Sequence, residues 1–188
     1  MDTIVAVPNF KRRGKDGQML PVEREALYNL VKTYRPSQCI EVGTYRGYGS
    51  TYYITSALAI NGNGGVLHSY EIDEKNVAYV AKLYSSGKLA SLGKSLWLHS
   101  GDVLALQHTI PQKLDFIFLD GANEADETAK QLTCFLSRIV RGTIVALHDW
   151  NLEKQRTTRM YFSNNEQRWS RLIEINNTPT GFAAFKRR

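Results

Sequence analysis

Five short apolar runs, at 38–42, 66–72, 95–99, 114–119 and 143–147, alternate with stretches of helical period. Strands that each hand over to a helix pair in parallel, because a parallel neighbour can only be reached by a long crossover. The alternation therefore predicts an α/β fold: a doubly wound, Rossmann-like sheet of about seven strands, mostly parallel, with helices on both faces. Leu27, Leu30, Val31 and Tyr34 share one face of a helix expected over 21–34. Val77, Val80, Ala81 and Tyr84 follow the same spacing, and Ala125, Ala129, Leu132, Leu136 and Ile139 form a third stripe. Further helices are expected over 50–60, ended by a run of Asn and Gly, and over 153–163. Two final strands, 171–175 and 182–185, are joined by too short a link for a crossover, so the C-terminal end of the sheet closes antiparallel.

The 188 residues fit one domain, taken as 21–188, preceded by a basic arm or lid over 1–20. A net charge of +6 would favour anionic partners, but the excess gathers in Lys11, Arg12, Arg13 and Lys15 and in Lys186, Arg187 and Arg188. Such terminal runs read as solvated tails, and with no recognition motif beside them nucleic acid is not the expected partner. No apolar run approaches the roughly 18 residues of a membrane span, and the N-terminus lacks a signal-peptide pattern. Cys39 and Cys134 read as small buried hydrophobes, so a cytoplasmic location is expected.

Carboxylates mark the ends of the five strands: Glu41, Glu71, Asp102, Asp120 and Asp149. Ligands of open parallel sheets bind beyond the carboxyl ends of the strands, so this succession points to one cleft. Any single member could instead cap a helix. The turn after the first strand, Glu41 to Thr51, has the spacing G-x-x-x-G-x-G, which differs from the G-x-G-x-x-G of a dinucleotide site. Its glycines permit positive φ and a close ligand. Glu71, ending the next strand, can accept hydrogen bonds from both hydroxyls of a ribose.

In order along the chain, the run Glu41-Val-Gly43-Thr-Tyr45-Arg-Gly47-Tyr, then Tyr70-Glu71-Ile72-Asp73, Ser100-Gly101-Asp102, Phe116 to Gly121 and Leu147-His148-Asp149 resemble the motifs of class I S-adenosylmethionine-dependent methyltransferases. The likeness is to small-molecule O-methyltransferases of the catechol O-methyltransferase type and covers about 20–150. It implies S-adenosylmethionine as cofactor and a small hydroxylated metabolite as acceptor. Glu41, Gly43, Thr44, Tyr45, Gly47 and Ser50 would surround the methionine part, Glu71 the ribose and Asp102 the adenine, with Asp120 beside the methyl donor. A homodimer is compatible with the resemblance.

At the catalytic end the resemblance implies Asp120, His148 and Asn123. Two departures bear on it. Asn123 stands where catechol-type enzymes carry a lysine, and Asp149-Trp150 replaces an Asp-Asn pair. Asp120 and Asp149 are the candidate ligands of a hard ion such as Mg²⁺, with Asn151 as a neutral third. Two readings stay open for each: His148 as base or as a hydrogen-bonded structural residue, Asp102 as adenine contact or N-cap, and Asp149 as ligand or loop cap. Sequence alone also leaves open a catalytically weak cofactor-binding module and, against the glycine spacing, a nicotinamide-dependent oxidoreductase.

Overall fold

The computed structural model describes residues 7–10 and 19–188, so the basic cluster of 11–15 and most of the expected arm lie outside the described residues. The element order is α1 (Pro21–Tyr34), β1 (Gln38–Val42), α2 (Ser50–Asn61), β2 (Val66–Glu71), α3 (Glu74–Ser85), β3 (Leu96–Ser100), β4 (Leu114–Leu119), α4 (Ala125–Phe135), β5 (Ile139–His148), α5 (Arg156–Asn164), β6 (Trp169–Ile175) and β7 (Phe182–Arg187). Seven strands form one sheet in the order β3-β2-β1-β4-β5-β7-β6. Only the pairings of β7, with β5 and with β6, are antiparallel. Strand order reverses between β1 and β4, and that junction fixes where a ligand can enter.

The inner residues of the central strands β1, β4 and β5 are mostly apolar because both faces are covered. Cys39, Phe116, Phe118, Ile144 and Ala146 face the α1–α2 layer, where Leu27, Val31, Ile54 and Leu58 pack. Their neighbours Ile40, Ile117, Leu119, Val145 and Leu147 face Leu132, Phe135 and Phe162 on the other side. Helix α1 starts with Pro21 at its first position, and the Glu23 carboxylate accepts the Leu20 N–H at 2.7 Å. In α3, Asp73 caps the N-terminus by accepting from Lys75 N–H at 2.8 Å.

Several expected boundaries move. Leu136 and Ile139 leave the α4 stripe: the helix ends at Phe135, a single 3₁₀ turn follows, and Ile139 opens β5. Strand β5 thereby begins four residues earlier than the run 143–147, with an irregular register against β4 and a left-handed Gly142 (φ 98°) absorbing the difference. The expected helix 153–163 splits into a 3₁₀ turn, Glu153–Gln155, and α5. The C-terminal basic run is no solvated tail. Lys186 and Arg187 end β7, with Lys186 Nζ 4.8 Å from the Tyr34 ring centroid and Arg187 bonded to the Arg168 carbonyl.

Candidate active site

A cleft of about 470 Å³ opens at the carboxyl ends of β1, β2 and β4. Backbone bonds running past the strand ends hold its floor: Gly43 N–H to Tyr70 O, Asp120 N–H to Val42 O and Gly101 N–H to Glu71 O, at 3.0, 3.0 and 2.8 Å. The turn after β1 doubles back through Gly43 (φ 96°), Tyr45 (φ 51°) and Gly47 (φ 71°). A Cβ on Gly43 would lie 2.8 Å from the Gly121 Cα, so this glycine is required where the turns after β1 and β4 cross. Tyr45, a non-glycine residue in the left-handed region, is the kind of local strain that gathers at functional loops.

Of the residues expected to surround a cofactor, Gly43, Thr44, Tyr45, Ser50, Glu71, Asp102 and Asp120 line the cleft. Glu41 and Gly47 do not. Glu41 is fully buried beneath the turn, where its Oε2 accepts from Thr51 Oγ1 (2.7 Å) and Ser69 Oγ (2.6 Å) while Ser69 also bonds Thr44. Burial pushes its carboxyl up to about 7, against the pull of Ser50, Ser69 and Thr51. Its Oε1 has no hydrogen-bond partner. Gly47 packs against Val80 and Tyr84, and its carbonyl accepts from the Tyr84 hydroxyl at 2.9 Å. Both residues shape the turn from behind.

Glu71 lies at the cleft wall with each oxygen accepting one backbone N–H, Tyr45 at 2.6 Å and Asp73 at 2.9 Å. A carboxylate oxygen accepts more than one bond, so acceptor capacity remains on both. Asp102 caps a turn and not a helix, and it also faces the cleft. Its Oδ1 caps the following turn by accepting Leu104 N–H at 2.9 Å, and the residue still lines the cleft beside Val103, opposite the exposed Ile72. Asn123 stands exposed on the rim.

At the far end Asp120 and Asp149 converge, and the space between them holds a side chain that the spacing did not single out. Lys154 Nζ lies 3.1 Å from Asp120 Oδ1 and 2.6 Å from Asp149 Oδ2. From the buried side, His148 Nδ1 lies 3.2 Å from Asp120 Oδ2 and 3.3 Å from Asp149 Oδ1. These are ion-pairing distances, and Nδ1 makes no well-directed hydrogen bond. His148 Nε2 meets Glu23 Oε2 at 3.2 Å, and Glu23 Oε1 accepts from Thr178 and Thr180 at 2.8 and 2.7 Å. Burial alone would lower the His148 pKa, but Asp120, Glu23 and Asp149 outweigh it and raise it to about 10. For Glu23, burial alone would raise the carboxyl, but hydrogen bonds from His148, Leu20, Thr180 and Thr178 hold it at about 2. Lys154 is likewise pulled up by Asp120 and Asp149 against desolvation.

Of the two readings of His148, the structure supplies the partners of a hydrogen-bonded residue: it faces the carboxylates of Asp120, Glu23 and Asp149, whose charges favour its protonated form. Asn151 does not approach the carboxylates. Its amide donates to the carbonyls of Asn176 (3.1 Å) and Thr178 (2.6 Å), because the loop after β5 is clamped to the β6–β7 turn. Trp150 also turns away, its Nε1 donating to Glu174 Oε1 at 2.9 Å. Phe10 packs on Tyr28 and Tyr53, and Phe162 stacks on Phe185, so both belong to the core packing and not to the cleft. Met19, Glu127, Gln131 and Lys154 line the cleft unannounced. For Lys154 a signal existed: two strand-end carboxylates facing each other need a cation, and a lysine follows Asp149 by one turn of loop.

Residues 40–150, more than half of the chain, match the family described as a methyltransferase domain. The chain belongs to that family. Among curated proteins none matches. The methyltransferase resembles solved structures at the level of fold. With an O-methyltransferase from Bacillus cereus in complex with SAH it shares 19% identity over 91% of this chain and 83% of the other, at a TM-score of 0.72. TomG from Streptomyces achromogenes, an O-methyltransferase involved in tomaymycin synthesis and solved with SAM, gives 18%, 90%, 81% and 0.71. The SAH-bound methyltransferase PaMTH1 of Podospora anserina gives 16%, 91%, 80% and 0.70. The family resemblance, the mostly parallel seven-stranded sheet and the methyltransferase assignment read from the motifs are thus borne out.

Proposed function

We propose that this methyltransferase moves a methyl group from S-adenosylmethionine to a hydroxyl of a small metabolite. One observation carries the reading: a single cleft runs from the glycine turn past Glu71 and Asp102 and ends on Asp120, Asp149 and Lys154. Its volume suits a ligand of cofactor size. The spare acceptor capacity of Glu71 fits two ribose hydroxyls, and the carboxylates along the walls fit a cationic ligand. The turn residues Gly43 to Tyr45 with Ser50 would hold the amino-acid end, and Ile72, Asp102 and Val103 the adenine.

When bound, S-adenosylmethionine supplies a sulfonium methyl already activated toward a nucleophile. The protein's task is then alignment and exclusion of water. With the cofactor bound, an acceptor hydroxyl would lie at the Asp120 end of the cleft, and Asp120 or Asp149 would take up the proton it releases. His148 takes no proton. It keeps the two aspartates in place, anchored from behind by Glu23, and Asn123 stands on the rim to meet the acceptor. The carboxylates lining the cleft disfavour phosphorylated acceptors and nucleic acid. Among the described residues no helix is long and apolar enough to cross a membrane, and the two free cysteines suit a reducing compartment such as the cytoplasm. The test is methyl transfer from a labelled donor to a panel of hydroxylated metabolites. Transfer to at least one, abolished with Asp120→Asn, is expected; binding of the cofactor without transfer to any would leave a binding module instead.

A further inference from the structure

We propose that Lys154 stands in the place of a divalent metal, so that this protein works without one and its ammonium is the cation that meets the acceptor oxygen. The inference rests on the methyl-transfer reading above. Its basis is the geometry of the cluster.

Asp120 and Asp149 offer four oxygens, and each already has a cation within 3.3 Å: Lys154 on two of them, His148 on the other two. The Lys154 ammonium meets both carboxylates from the cleft side and the His148 ring meets them from the buried side. A divalent ion between the same two carboxylates would have to expel Lys154 from a largely buried site. Lys154 is itself held. Its side chain is 10% exposed, and the turn that carries it is pinned by fully buried Gln155, whose Nε2 donates to the His148 carbonyl at 2.8 Å. His148 is fixed from behind by Glu23.

The donor set also fails a metal. Mg²⁺ takes about six oxygens in near-octahedral geometry, one or two of them from carboxylates and the rest from water and substrate, so it needs carboxylate oxygens that are free to turn toward it. Asp120, His148 and Asp149 could gather around an ion by distance alone. Yet the His148 ring is held from behind by Glu23 through Nε2 while its Nδ1 lies within 3.3 Å of both aspartates, and Trp150 and Asn151 are committed to Glu174 and to the Asn176 and Thr178 carbonyls. Lys154, by contrast, lines the cleft with its Nζ between the aspartates, where a hydroxyl losing its proton would gain a cationic partner.

The experiment pairs ion binding with cofactor binding. Mn²⁺ is titrated into the wild-type protein and followed by electron paramagnetic resonance, and S-adenosylhomocysteine is titrated calorimetrically into the same preparation. Methyl transfer to an acceptor from the panel is then measured with EDTA, and with Lys154→Gln. Expected are no saturable Mn²⁺ binding below the millimolar range, indifference to EDTA, and a Lys154→Gln variant that binds S-adenosylhomocysteine as wild type does but transfers methyl about a hundredfold more slowly, the usual loss of an oxyanion partner. Micromolar Mn²⁺ binding removed by Asp149→Asn would overturn the proposal, and that result needs no Lys154 variant to fold. Activity lost in EDTA and restored by Mg²⁺, or an undiminished Lys154→Gln rate, would also overturn it. Failure of S-adenosylhomocysteine to bind would instead strike the cofactor reading, whatever Mn²⁺ does.

Discussion

Glu41 and Glu71 lie on neighbouring strands and put a carboxylate to opposite uses. Glu41 is sealed under the turn, and its pKa rises from 4.5 in the open chain to about 7 in the fold. Between those values the unfolded chain has released the proton while the folded protein keeps it, so stability falls as pH rises, by at most about 3 kcal/mol in all. Glu41→Gln removes this dependence. The urea midpoint of the variant should therefore gain on wild type between pH 5 and pH 8 by an amount set by this titration; an unchanged gap would refute the assignment. Glu71, at the wall, should behave differently. Glu71→Ala is expected to weaken S-adenosylhomocysteine binding more than about tenfold, since two charge-assisted hydrogen bonds are lost. Unchanged affinity in a folded variant would remove Glu71 from the site. The sequence grouped both residues around the cofactor. It could place Glu71 at a strand end, but not show that Glu41, one residue before its strand ends, points beneath the turn and not into it.

The elements that carry the site meet at a crossing too tight for side chains. A Cβ on Gly121 would lie 2.7 Å from Val42 Cγ1, and one on Gly43 would strike Gly121. Gly121→Ala should cost about 1–3 kcal/mol through overpacking and lower the thermal midpoint by several degrees. A midpoint equal to wild type would show that the turns can part. Gly43→Val should fail for the same reason, compounded by its positive φ, so its loss of cofactor binding is expected to arrive with loss of fold. The central strands were legible because their inner residues are buried on both faces, and β1 and β4 match their runs to the residue. Where periodicity misled, a continuous stripe crossed a break: Leu136 keeps helical spacing with α4, but the chain has already turned toward β5. The glycine turn was legible as a turn; that Gly43 serves the crossing of two loops was not, because Gly121 lies in another unit of the sheet.

Across the whole molecule, charge is distributed against the overall balance. The chain carries +6, yet its cleft is lined by Glu71, Asp102, Asp120, Glu127 and Asp149, with Lys154 as the one lysine on that wall among the described residues. The contacts that settle the catalytic end span long stretches of sequence. Lys154 is 34 residues from Asp120, and Glu23 is 125 from His148. Motif spacing finds the strand-end acids and, in the lysine five residues after Asp149, a candidate cation; that both acids share it is set by the fold. The identity of the ligand that fills this cleft decides what the protein does. The direct test is calorimetric titration of S-adenosylhomocysteine and of NAD into one preparation of the wild-type protein. Saturable micromolar binding of S-adenosylhomocysteine, with no heat from NAD, is the predicted result, and saturable binding of NAD with none of S-adenosylhomocysteine would contradict it.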